Sequence, residues 1–107
     1  MFFGKKMAHA PALTKQISPV VYSANGESHT LYAKLADFSE LAPGLLEHGV
    51  WYSVTYVLIE RDFGSYIELL GYSGRYNPSE FVFENEQGEQ VNVRNIPQFN
   101  AYFEGVQ

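Results

Sequence analysis

Nine consecutive residues, Trp51-Tyr52-Ser53-Val54-Thr55-Tyr56-Val57-Leu58-Ile59, carry four β-branched and three aromatic side chains. Such a run suits a pleated, half-buried surface and argues for an extended strand. Arg61-Asp62-Phe63-Gly64 follows as a turn, with Gly64 the natural positive-φ residue, and Tyr66-Ile67-Glu68-Leu69-Leu70 reads as the returning strand. Strand alternation sends Trp51, Val57 and Ile59 to one face and Tyr52, Val54, Tyr56 and Leu58 to the other. A strand apolar on both faces is either central and covered twice or part of a sheet that curls over itself. The chain is therefore expected to be mainly β, as a small antiparallel β-barrel or a strongly curled sheet. Trp51, Val54, Leu58, Ile67, Leu69 and Phe81 are its expected core.

The flanking segments extend this pattern. Ser18-Pro19-Val20-Val21-Tyr22 is extended, and Asn25-Gly26 is a strong hairpin signal because both residues tolerate positive φ. The return strand His29–Leu35 alternates Leu31, Ala33 and Leu35 against Thr30, Tyr32 and Lys34. Asn85-Glu86-Gln87-Gly88 forms another turn, between Phe81-Val82-Phe83 and Gln90–Arg94. Phe99, Tyr102 and Phe103 recur at helical spacing after Pro97, which predicts a short amphipathic C-terminal α-helix over residues 97–104. Residues 1–15 lack any period and read as a flexible basic arm, leaving 16–107 as a single β-rich domain.

Composition narrows the functional classes. At 107 residues with 46% hydrophobic and 16% aromatic side chains, the chain can bury roughly 65% of its unfolded surface as one domain. It has no cysteine, which excludes disulfides and thiolate metal sites and fits a cytoplasmic location. The longest apolar run, Val57-Leu58-Ile59, is far too short to cross a bilayer. Residues 1–20 hold Lys5, Lys6 and Lys15 and no acid, whereas residues 21–107 hold four basic against twelve acidic residues, a balance of −8. Proteins that bind nucleic acids usually offer a basic face to the phosphates, and this body offers the opposite.

Leu46 and Gly49 ahead of Tyr52-Ser53-Val54, then Gly74-Arg75-Tyr76-Asn77-Pro78-Ser79-Glu80-Phe81 after the hairpin, form a loose pattern. In these residues the segment 45–84 resembles small SH3-like β-barrel proteins, many of them encoded by phages and other mobile elements. The resemblance implies an SH3-like or OB-like fold and a phage or mobile-element setting, and no catalytic residues. Members of this loose group bind proteins, RNA or DNA, so fold does not choose among those partners.

Apparent chemical motifs dissolve on inspection. Asp62-Phe63-Gly64 copies a kinase triplet in a chain too short for a kinase. His9, His29 and His48 lack metal-ligand spacing and read as exposed or locally capped. Glu60 and Asp62 read as solvated turn charges. Glu68, inside an apolar strand, is expected on the wet face; turned inward it would need Arg75 or Arg94. No catalytic, cofactor or metal residue is expected, and the chain reads as a non-enzymatic interaction protein. Its expected contact residues are Tyr72, Arg75 and Tyr76 around Gly71 and Gly74, with the acids Glu84, Glu86 and Glu89. The expected partner is a host or cognate protein with a basic surface, which the module would inhibit or modulate. Neither nucleic acid nor membrane is expected, and a homodimer is left open. The competing reading is a single-strand nucleic-acid binder using the tyrosines as a stacking platform. Limited trypsin digestion should cut after Lys5, Lys6 or Lys15 and leave a folded remainder. Unfolding of that remainder would place the arm in the core.

Overall fold

The computed structural model describes residues 18–39 and 45–101. The basic arm assigned to residues 1–15, and Tyr102 and Phe103 of the expected helix, lie outside the described residues.

The Asn25-Gly26 turn forms as its sequence demands. Asn25 and Gly26 adopt φ of 54° and 80°, which matches the twist of a two-residue hairpin. The turn joins β1 (Val21–Ala24) to β2 (Glu27–Leu35), with Ala24 opposite Glu27. The remaining strands are β3 (Tyr52–Leu58), β4 (Tyr66–Leu69), β5 (Tyr72–Tyr76), β6 (Phe81–Asn85) and β7 (Gln90–Val91). All their pairings are antiparallel, in the order β5-β4-β3-β2-β6-β7, with β1 added to β2.

Strand β2 is the spine. Its inward residues His29, Leu31, Ala33 and Leu35 are buried, while Thr30, Tyr32 and Lys34 are half-buried on the outer face. Residues 31–35 pair with β6 along one edge. Along the other edge β2 pairs first with β1, then with the start of β3. Val20 N–H donates to the Val54 carbonyl at 2.8 Å, so β1 takes over that edge where β3 leaves it. Ala33, fully buried, is flanked by Tyr52 on β3 and Phe83 on β6. A small residue between two large ones lets the two sides of the core interdigitate.

Strand β3 turns the corner. Its pairing with β4 slips between Val54 and Tyr56, the signature of a β-bulge. Before the bulge Tyr52 and Val54 face the core; after it Val57 and Ile59 do. This switch corrects the expected core: Leu58 is only half-buried, because the bulge turns it outward. Trp51 is also misassigned, being 38% exposed, because the Ala33–Tyr52 pairing puts Tyr52 inside and its neighbour outside. Val54, Ile67, Leu69 and Phe81 are buried as expected.

The sheet curls without closing into a barrel. Between β5 and β6 runs a 3-10 turn, Pro78–Glu80, capped by Asn77, whose Oδ1 accepts from Ser79 N–H. The Phe81 N–H is consumed by the Pro78 carbonyl, and proline has no N–H to offer. A hydrogen-bonded ladder therefore cannot bridge the two strands here. Side-chain packing spans the gap, with the Tyr76 ring edge-on to Phe81 at 6.1 Å.

The C-terminal α-helix expected over 97–104 is not supported: its described start, residues 97–100, is not α-helical. Pro97–Phe99 is a 3-10 turn, and no helix of seven or more residues occurs among the described residues. The end of β3 recruits this segment instead: Ile59 N–H donates to the Phe99 carbonyl and Ala101 N–H to the Ile59 carbonyl, each at 2.8 Å. Phe99 is buried and meets Tyr22 edge-on at 5.9 Å, so this ring belongs to the core. Truncating Phe81 to Ala should cost about 3–5 kcal/mol in urea unfolding, because the ring fills the gap between β5 and β6. A loss under ~1 kcal/mol would show that the gap is not sealed by this side chain.

Candidate functional site

The sheet register gathers an aromatic and acidic groove on the outer face. Tyr32 stands opposite Ser53 on β3 and opposite Glu84 on β6. Trp51 lies one residue before β3, on the Lys34 side of this row, and the Lys34 Nζ sits 4.9 Å from its ring centroid. Tyr32, Trp51, Glu84, Asn85, Glu86 and Gly88 enclose a groove of about 330 Å³. A larger groove of about 480 Å³ is lined by residues 78, 79, 81–83 and 90–94. It lacks any acid and offers a single charged side chain, Arg94. The smaller one combines aromatic faces with carboxylates and is the better candidate for recognition.

The three acids assigned to binding play different parts. Glu86 is structural: its Oε1 accepts from Thr30 N–H and its Oε2 from His29 Nδ1, each at 2.9 Å. It ties the β1–β2 hairpin to the β6–β7 turn. The Thr30 amide first, then the His29 hydrogen bond, hold the Glu86 carboxyl below its usual range. His29 is buried beneath this tie, with Tyr22 at 5.6 Å and Glu27 at 3.7 Å on its other nitrogen, so it is held by its neighbours rather than exposed. Glu89 accepts from Asn85 Nδ2 at 3.0 Å, while Asn85 Oδ1 caps the Gln87 and Glu89 amides. The side chain of Glu84, half-buried on β6, makes no hydrogen bond or ion pair among the described residues.

The three β5 residues do not form one patch. Tyr76 is buried, its hydroxyl donating to the Ser73 carbonyl at 3.1 Å, so it belongs to the core. Tyr72 is exposed, edge-on to Tyr52 at 5.2 Å. Arg75 lies over the Tyr66 ring at 4.3 Å and reaches Glu68 Oε2 at 3.7 Å. Glu68 alternates with the core residues Ile67 and Leu69 and so lies on the outer face, as expected. It is nevertheless buried rather than wet. The stacked pair Tyr56–Tyr66, at 5.6 Å, crowds the same face and Arg75 covers it. Burial pushes the Tyr56 phenol above its usual value, and the neighbouring Tyr66 and Glu68 add to the rise.

Of the assigned residues, only Glu84 and Glu86 line the groove. Tyr32, Lys34 and Trp51 were missed as site residues, although the alternation of β2 already sends Tyr32 and Lys34 outward. Their meeting with Glu84 depends on a β2–β6 pairing some fifty residues apart in sequence, which no local signal reveals. Among the described residues no cluster of His, Asp and Glu could hold a metal ion, and no helix is long and apolar enough to cross a membrane. Compared with protein-family models, curated proteins and solved structures, the chain matches none.

The Glu86 tie has a pH signature. A carboxyl whose folded-state proton affinity is depressed stabilises the fold above its unfolded value and loses that contribution as pH falls through the folded one. Glu86→Gln should therefore lower the melting temperature at neutral pH, and the gap to the native protein should shrink as the pH is taken below 4.5. A gap that stays constant across this range would show that the charge on Glu86 does not hold the hairpin.

Proposed function

We propose that the protein is a non-enzymatic docking module that engages a basic surface of another protein through the Tyr32–Trp51–Glu84 groove. The observation that carries this reading is a carboxylate, Glu84, without a partner among the described residues, lining one groove with the aromatic side chains of Tyr32 and Trp51 on a half-buried sheet face. Aromatic anchors concentrate binding energy, and complementary charge speeds association and selects partners. The surrounding charge supports the same choice: residues 21–107 carry four basic and twelve acidic side chains. A partner that binds nucleic acid would present the required basic surface, and occupying it would inhibit that partner.

The order of elements supports an SH3-like reading within the mainly β class. The long strand β2, a long connection, the β3-β4-β5 meander, a 3-10 turn and a strand, β6, returning to β2 follow one another in that sequence. The phage or mobile-element setting and the cytoplasmic location implied by the sequence belong to the same proposal.

Parallel titrations with an arginine- and lysine-rich peptide and with single-stranded oligothymidylate, at about 150 mM salt, separate docking from nucleic-acid binding. The peptide should bind and the oligonucleotide should not. Glu84→Lys should weaken the peptide about fivefold, mainly through slower association. Oligonucleotide binding that tightens with Glu84→Lys would overturn the docking reading, since removal of a negative charge favours phosphates. Tyr76→Ala and Glu86→Lys are unsuitable for this test, because one side chain is core and the other ties the hairpin.

A further inference from the structure

We infer that the face of Trp51 is a subsite for an arginine side chain of the partner, covered by the protein's own Lys34 when no partner is bound. The inference rests on the docking reading and names what the groove takes. Lys34 Nζ lies 4.9 Å from the Trp51 ring centroid, inside the ~6 Å reach of a cation–π contact. Among the described residues the Lys34 ammonium makes no ion pair, and the Glu84 carboxylate in the same groove has no partner. The domain thus holds a cation on the ring and an anion lining the same groove, without joining the two.

The chemistry of the two cations explains why an incoming side chain displaces the resident one. A lysine is a point charge on a flexible stem that loses much rotamer freedom when held in place. Over an exposed ring it recovers little of that loss. A guanidinium is planar, so it stacks on the indole while its edge offers a fork of donors to a carboxylate. Arginine can therefore satisfy the Trp51 face and Glu84 together, where Lys34 satisfies the ring alone. Glu86 also lines the groove, but its oxygens are taken by Thr30 and His29. Glu84 is the carboxylate that would receive the guanidinium.

Trp51 is the single tryptophan of the chain, so its fluorescence reports this site directly. The probes are triarginine and trilysine amides, titrated into the full chain and its variants. Triarginine should shift Trp51 emission and bind more tightly than trilysine. Glu84→Gln should weaken triarginine and narrow its advantage over trilysine. Lys34→Met should tighten triarginine by about threefold, since the resident cation no longer competes for the ring; Lys34→Gln gives a second version of the same loss. Arg94→Met removes an equal charge from a residue that does not line the groove, and should change affinity much less. Equal tightening by the Lys34 and Arg94 variants would reduce the effect to overall charge and overturn the inference. Triarginine binding that depends on Glu84 yet leaves Trp51 emission and the Lys34 variants unaffected would discard the subsite and keep the docking face. If neither peptide binds, both readings fall.

Discussion

Two-sided pairing of β2 is the constraint on which the rest of the domain depends. One strand meets β6 along one edge and shares the other between β1 and β3, so its inward side chains are enclosed from both sides. Fully buried Leu31 and Ala33 sit at the centre of that arrangement. Ala33 has Tyr52 and Phe83 as its cross-strand neighbours, and a bulkier residue would force one of those rings off its rotamer. The strand's early pairing with β1 leaves room for β3 to depart and, through its bulge, form the separate β3-β4-β5 meander. Curling is thus a consequence of how the edges of one strand are divided.

The seams left by that curl are held by short polar devices. Asn77, Asn85 and Asn92 each accept backbone amides that would otherwise lack partners at the start of a turn. Glu86 performs the same service over a longer distance by accepting from Thr30 and His29. These four residues spend their polar groups on backbone geometry. That explains why a stretch dense in acids is less available for binding than its charge implies.

The strands from β1 to β4 and their turns were legible in the sequence because their signals are local. Strand β5, by contrast, runs through a glycine-punctuated stretch that reads as a loop, and β7 stops at Val91 rather than Arg94. Asn25-Gly26 specifies its hairpin by tolerance of positive φ, Gly64 its turn, and the alternation over Leu31, Ala33 and Leu35 the buried face of β2. What failed depended on tertiary context. The bulge at Thr55 exchanges the two faces of β3 halfway along, so no single alternation could place both Trp51 and Leu58. The spacing of Phe99 with Tyr102 and Phe103 is compatible with a helix, yet Ile59 offers backbone partners to Phe99 and Ala101 and bridges to Asn100, which interrupts a helix started at Pro97. Glu68 was put on the right face in the wrong environment, because the stacking of Tyr56 on Tyr66 and the reach of Arg75 are cross-strand events. The candidate groove was half legible: its acids stood out, while the aromatics that frame it came from strands distant in sequence.

Glu84 and Glu86 sharpen the distinction between a fold-making acid and a binding one. Both stand at the same end of the sheet and line the same groove, so overall charge cannot tell them apart. Glu86 is bound on both oxygens and its proton affinity falls accordingly. Glu84 has paid part of its desolvation against Tyr32 without a donor among the described residues to offset that cost. Stability alone would favour a β-branched or hydroxyl side chain at an outward position of a paired strand. A residue that departs from the local rule without local compensation is where function is expected to have overridden stability. In this domain that residue shares a groove with the one tryptophan, whose ring is covered by a lysine that neither carboxylate of the groove holds.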